Sequence, residues 1–148
     1  MRAKEFHFPL AVAWTGGRKV LARVEGKAPV EIATPPEFRG TDPGTWSPED
    51  LFVAAAASCL AVTFAGLAER EGLHFDALEV SGDGVASMRA DGRFGFTRLS
   101  LRLQLHTEVA TAERARELAA EAERTCLVSV SLDLPVETIV DVRTPLAA

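Results

Sequence analysis

The spacing of hydrophobic and polar positions changes several times along this chain. Phe6, Phe8, Leu10, Val12 and Trp14 fall at every second position, the period of a half-buried strand. Thr15-Gly16-Gly17-Arg18 follows, and a Gly-Gly pair between strand patterns predicts a two-residue hairpin with Val20 to Val24 as the return strand. Val30 to Ile32 predicts a short third strand, closed by Pro35-Pro36. A loop rich in Gly, Pro and Thr then runs from Glu37 to Trp46.

At Ser47-Pro48-Glu49-Asp50 the pattern becomes that of a helix start. Ser is a preferred N-cap, Pro suits the first helical position, and the two acids face the positive end of the helix dipole. The helix is expected from Pro48 to about Glu71, with Gly72 where a C′ glycine belongs. Leu51, Phe52, Val53, Ala54 to Ala57, Leu60, Val62, Phe64 and Leu67 leave it no polar face, so it must be surrounded by protein. One sheet and one further helix barely suffice for that, which predicts a second copy of the chain packed against it.

Beyond the helix, Leu78 to Met88 is a weaker strand, and Gly82 and Gly84 inside it suggest a bulge or strong twist. Leu99, Leu101, Leu103 and Leu105 alternate cleanly with polar residues, whereas Phe94 and Phe96 have the opposite parity. That switch places a turn or bulge near Thr97. Thr111 is the expected N-cap of a second helix, in which Ala115, Leu118, Ala119 and Ala122 make an i, i+3, i+4, i+7 stripe. Cys126 continues the stripe if the helix lasts that far. Val136 to Val142 reads as a final strand. Strands, helix, strands, helix, strand is an α+β order, and with no linker or repeat in sight one domain over residues 1–148 is expected.

Composition narrows the function. A 148-residue chain with 47% hydrophobic residues can bury a substantial core. Its net charge of −5 offers no basic surface for nucleic acid. The N-terminal segment has charge and alternation and no apolar h-region, so no signal peptide is expected. Leu51 to Ala68 is an uncharged run of 18 residues, at the lower edge of membrane-spanning length. Its alanines, Ser58, Thr63 and Gly66, without an aromatic belt or flanking cations, favour a buried helix of a cytoplasmic protein over a membrane segment. Phosphate-loop, dinucleotide-binding and G-x-S-x-G motifs are lacking, and His7, His74 and His106 are scattered, so neither cofactor nor metal is expected.

Two thiols remain, Cys59 and Cys126. Taken singly, each reads as a small hydrophobe in a core. In a reducing compartment, a pair of cysteines is more often redox-active than structural.

The segment Ser47-Pro48-Glu49-Asp50-Leu51-Phe52-Val53-Ala54-Ala55-Ala56-Ala57-Ser58-Cys59 resembles the signature of the OsmC/Ohr family: a Pro-Glu helix start, an alanine-rich run, and a cysteine ten residues after the glutamate. Cys126-Leu127-Val128-Ser129 is similar to the family's second cysteine motif, with Leu127 where the family usually has proline. Thr15-Gly16-Gly17-Arg18 resembles the arginine-bearing hairpin of the Ohr branch, and Pro36-Glu37-Phe38-Arg39-Gly40 the loop before the helix in the wider family. The resemblance implies an intertwined homodimer with antiparallel sheets around a long buried central helix. It also implies a peroxidase acting on organic hydroperoxides, recycled by a dithiol reductant. By the same resemblance Cys59 is the peroxidatic thiol, Cys126 the resolving thiol, Arg18 the activating arginine with Arg39 as its rival, and Glu49 the carboxylate that holds the arginine.

Elementary chemistry supports such a site. A thiolate is the nucleophile toward peroxide oxygen, and a buried thiol stays protonated unless a positive group lowers its pKa. Arginine stays charged at any working pH, and a carboxylate can orient it through paired hydrogen bonds. A straight helix separates Glu49 from Cys59 by about 15 Å and does not put them on one face. Either the helix breaks, or the site combines groups from two subunits. The competing expectation is a non-enzymatic dimeric binding or redox-sensing protein on the same fold.

Overall fold

A computed structural model describes residues 3–145. Contacts divide the chain into two compact units, residues 1–51 and 52–148, with the boundary in the first turn of the long helix.

In the first unit, β1 (Ala11–Gly16), β2 (Lys19–Arg23) and β3 (Val30–Ala33) form an antiparallel sheet in that order. The hairpin is built as its glycines require. Gly16 and Gly17 both take positive φ (130° and 55°), and the turn falls on Gly17-Arg18, one residue later than the Gly-Gly pair suggested. The expected strand from Phe6 does not form: regular pairing starts only at Ala11. Its alternating residues are exposed instead of half-buried, Phe8 at 83% and Trp14 at 73%. A period-two pattern makes a strand only where a neighbour offers a ladder, and β2 ends its pairing at Ala11.

After β3 a short 3-10 turn over Pro36–Phe38 leads into Arg39, the one non-glycine with positive φ (65°) among the described residues. At Gly40 a Cβ would lie 1.7 Å from the Thr34 carbonyl oxygen, so only glycine lets the loop close onto β3. The helix start then appears as a capping box. The Asp50 N–H donates to Ser47 Oγ (3.0 Å), and the Ser47 N–H donates to Asp50 Oδ2 (2.8 Å).

Helix α1 spans Pro48–Glu71, the expected bounds. Its end is a Schellman arrangement. Gly72 takes φ 67°, its N–H bonds the Glu69 carbonyl at 3.1 Å, and the Leu73 N–H bonds Ala68 at 2.9 Å.

In the second unit, β4 (Ala77–Met88), β5 (Phe94–His106) and β6 (Val136–Arg143) form a sheet in that order. β4 and β5 are antiparallel, and their pairing steps from Val85↔Arg98 to Ala86↔Phe96, which leaves Thr97 as the extra residue of a bulge. That is where the parity of the phenylalanines and leucines switches. One expectation is corrected here: β6 runs parallel to β5, so this sheet is mixed, not antiparallel. Helix α2 (Ala112–Thr125) and the short α3 (Leu127–Val130) supply the crossover that a parallel pair needs.

Leu99, Leu101, Leu103 and Leu105 of β5 form one core with Ala56, Leu60 and Phe64 of α1 and with Ala115, Leu118, Ala119 and Ala122 of α2. Glycines make the closest approach possible. A Cβ at Gly82 would sit 2.8 Å from Val53 Cγ1, and one at Gly84 would sit 2.8 Å from both Val53 Cγ2 and Phe96 Cε1. Phe96 in turn stacks on Phe52 at a centroid distance of 4.2 Å. Thr111 precedes α2 as expected but does not cap it: its hydroxyl pairs with the Thr107 hydroxyl at 2.8 Å instead.

The sequence leaves α1 without a polar face, and a single chain buries it on one side only. α1 is long and apolar enough to cross a membrane, yet one of its faces is the centre of this core. The opposite face, Ala55, Ser58, Val62 and Gly66, is exposed, with Val62 at 67%. Among the described residues, nothing covers that stripe.

Candidate functional site: two thiols at a helix break

Cys59 lies in the middle of α1, on the side that packs partly against the core. Thr63, one turn further, presents its hydroxyl to the Cys59 sulfur at 4.0 Å. Cys126 comes from the break between two helices. α2 ends at Thr125, the Cys126 backbone is extended (φ −61°, ψ 108°), and α3 starts at Leu127. The stripe of α2 therefore does not carry Cys126 by helical periodicity. Even so, its side chain is fully buried in the same core.

Both cysteines are free thiols. Burial of the Cys59 thiol pushes its pKa up, and four donors outweigh it: the Val128 N–H, the Cys126 thiol, the Thr63 hydroxyl and the Leu127 N–H. The result is a thiol held below the ordinary cysteine range, without an arginine among the groups that lower it. A lowered thiol beside a second thiol is equipped for nucleophilic attack followed by disulfide closure.

The other two expected site residues, Arg18 and Glu49, lie in the first unit. Arg18, at the hairpin turn, donates from Nη1 to the carbonyls of Phe38 (3.0 Å) and Arg39 (3.4 Å). It thus clamps the loop that precedes α1, and no hydrogen bond or ion pair joins it to Glu49 among the described residues. Glu49, in the first turn of α1, has one carboxylate oxygen, Oε2, buried with no hydrogen-bond partner. A buried carboxylate oxygen left without a donor carries a desolvation cost, and a cation or donor from outside would relieve it. α1 is continuous from Pro48 to Glu71, which removes a helix break as a way to unite Glu49 with Cys59. No cluster of three or more His, Cys, Asp or Glu suited to a metal ion occurs among the described residues.

Sequence reasoning missed the two backbone amides and Thr63. Thr63 was open to discovery, since it stands four residues after Cys59 on the same helical face. The amides were not, because a backbone donor has no letter of its own.

The family model described as OsmC-like protein matches residues 40–141. The chain belongs to the OsmC-like protein family. It is 28% identical over 138 residues to the uncharacterized protein YmaD of Bacillus subtilis (strain 168), covering 90% of this chain and 91% of that one. Among solved structures, it is similar to an OsmC-like protein of unknown function from Vibrio cholerae O1, with a TM-score of 0.82 at 18% identity, covering 92% of this chain and 99% of the other. It is also similar to an organic hydroperoxide resistance protein from Elizabethkingia anophelis, with a TM-score of 0.75 at 19% identity, covering 97% and 100%. At these identities the structural likenesses establish the OsmC-like α+β fold.

Proposed function

We propose that this OsmC-like chain is a thiol peroxidase that reduces organic hydroperoxides, with Cys59 attacking and Cys126 resolving. The observation that carries this reading is the Cys126 thiol facing a Cys59 sulfur whose pKa is lowered by local donors. The name of the Elizabethkingia anophelis relative, an organic hydroperoxide resistance protein, supports the choice of substrate and a role in oxidative-stress defence.

The steps balance as follows. The Cys59 thiolate attacks the terminal oxygen of the hydroperoxide, the O–O bond breaks, and its electron pair leaves on an alkoxide that takes up a proton to become an alcohol. Cys59 is left as a sulfenic acid. The Cys126 thiol attacks that sulfur, forming the disulfide and releasing water. A dithiol reductant then restores both thiols by exchange. Leu127 and Val130, both exposed and just after Cys126 in sequence, offer apolar surface for the alkyl part of a substrate.

The uncovered Ala55, Ser58, Val62 and Gly66 face of α1 supports a homodimer built on that helix. In the dimer, Glu49 and an arginine complete the site from the second copy, with Arg39 the freer candidate because Arg18 is engaged by loop carbonyls. In this reading residues 1–148 act as one OsmC-like domain, working in the cytoplasm where thiols stay reduced.

Stoichiometric oxidation of the reduced protein by cumene hydroperoxide, read by mass spectrometry, tests the proposal. The expected product is a Cys59–Cys126 disulfide that Cys59→Ser cannot form. If both thiols stay open to alkylation after excess hydroperoxide, the non-enzymatic binding or sensing alternative takes its place.

A further inference from the structure

Hydroxyls inside helices commonly turn back onto the backbone, and two in this chain do so. Ser58 Oγ of α1 donates to the Ala55 carbonyl at 3.3 Å, and Thr125 Oγ1 of α2 donates to the Glu121 carbonyl at 2.8 Å. Thr63 behaves differently. Among the described residues its hydroxyl has the Cys59 sulfur as partner, at 4.0 Å, and makes no bond to the carbonyl one turn back. Threonine is also a poorer helix former than Ala57, Ala61 and Ala65 around it, so α1 itself gains nothing from this side chain. Four residues apart, Cys59 and Thr63 share one side of α1, and both are half-buried. Water competes less well there for a hydrogen bond to sulfur than it would on an open face.

We propose that Thr63 is a positioning residue for the reacting sulfur: its hydroxyl accepts from the Cys59 thiol and, after a turn of its own O–H bond, donates to the thiolate. The proposal deepens the reading of Cys59 as the attacking thiol and rests on it for its functional meaning. The hydrogen bond itself is independent of any peroxide. A hydroxyl is both donor and acceptor, so it serves either form of the sulfur with no movement of heavy atoms. The branched Cβ restricts χ1 and keeps the oxygen where it is. A hydrogen bond to a charged partner is shorter and stronger than one to a neutral partner, so the 4.0 Å contact tightens as the sulfur ionises. Ionisation is favoured and a lone pair of the sulfur is given a fixed direction.

The test uses three variants. Thr63→Val keeps the branched shape and loses the hydroxyl, Thr63→Ala loses both, and Thr63→Ser keeps the hydroxyl alone. Alkylation of Cys59 by iodoacetamide is followed across pH by peptide mass spectrometry, with urea melts to establish folding. Thr63→Val and Thr63→Ala are both expected to move the midpoint upward and to slow alkylation at neutral pH by about two- to fivefold relative to the high-pH plateau. Thr63→Ser should keep the midpoint of the parent, which a role in packing alone would not produce.

An unchanged midpoint in the hydroxyl-free variants, or a shift in Thr63→Ser as large as theirs, overturns the proposal. Should Thr63→Val fail to fold, Thr63→Ala decides, since alanine is at home throughout this helix. Failure of the peroxidase reading looks different: the midpoint follows the hydroxyl, yet the parent protein does not consume cumene hydroperoxide.

Discussion

The Cys126 thiol is turned toward the Cys59 sulfur, although one residue sits in the middle of α1 and the other at the break between α2 and α3. This pairing makes Cys126 separable from Cys59 in function. In Cys126→Ser the first attack on cumene hydroperoxide should persist, because three of the four donors to Cys59 remain. The sulfenic acid then has no resolving thiol, so a dimedone-type probe should label Cys59, and sulfinic acid should accumulate on further oxidation. A disulfide-linked product in this variant would contradict the assignment. The serine also buries an extra hydroxyl at a fully enclosed position, with an expected loss of about 1–3 kcal/mol by urea denaturation.

The lowered Cys59 thiol makes reactivity depend on pH in a defined direction. Alkylation should rise with pH through a midpoint below that of the urea-unfolded chain, where the donors of α3 are gone. The sign for stability follows from linkage. An acid whose folded pKa is depressed adds stability that is fully present above its unfolded pKa and is lost as pH falls through the folded one. Unfolding should therefore become harder with rising pH between those two midpoints, and this slope should vanish in Cys59→Ser. The effect is small because the sulfur is only partly buried. A native midpoint at or above the unfolded one would refute the account.

The fit of α1 against β4 depends on two absent side chains. Gly84→Ala would place a methyl 2.8 Å from both Val53 Cγ2 and Phe96 Cε1, so a loss of about 1–3 kcal/mol is expected in urea melts. Val53→Ala in the same chain should return part of that loss, a non-additivity that a double-mutant cycle detects. Fully additive losses would mean that Val53 is not what the new methyl meets.

The capping box at the start of α1 is open to a similar cycle. Ser47→Ala and Asp50→Ala each remove one of two reciprocal hydrogen bonds, at an expected cost of about 1 kcal/mol. Because the two side chains satisfy each other's backbone donors, the double variant should lose less than the sum of the single ones. Thermal unfolding of the four proteins would show it.

Arg18 has a structural duty whatever its part in catalysis. Arg18→Ala should free the carbonyls of Phe38 and Arg39 and raise hydrogen exchange in the loop before α1, leaving the β4–β5–β6 sheet unchanged. Unaltered exchange at residues 36–40 would show that the clamp does not order the loop.

What the amino-acid order determined by itself was local. Ser47, Pro48 and Gly72 mark α1 to the residue, since caps and backbone conformation act within one turn. The parity switch between Phe96 and Leu99 announces the bulge at Thr97, because strand period is a nearest-neighbour property. The family signature pointed to both cysteines. Tertiary structure decided the rest. It made β6 parallel to β5, left Phe6 to Trp14 without a covering layer, and buried only one face of a helix that is apolar on every side. It also engaged Arg18 with the loop carbonyls of Phe38 and Arg39, and brought Thr63 and α3 to the Cys59 thiol. The physical reason is common to these cases. Periodicity and caps are read within a few residues, whereas a strand's partner, a helix's cover and a thiol's hydrogen-bond donors are set by where distant segments meet.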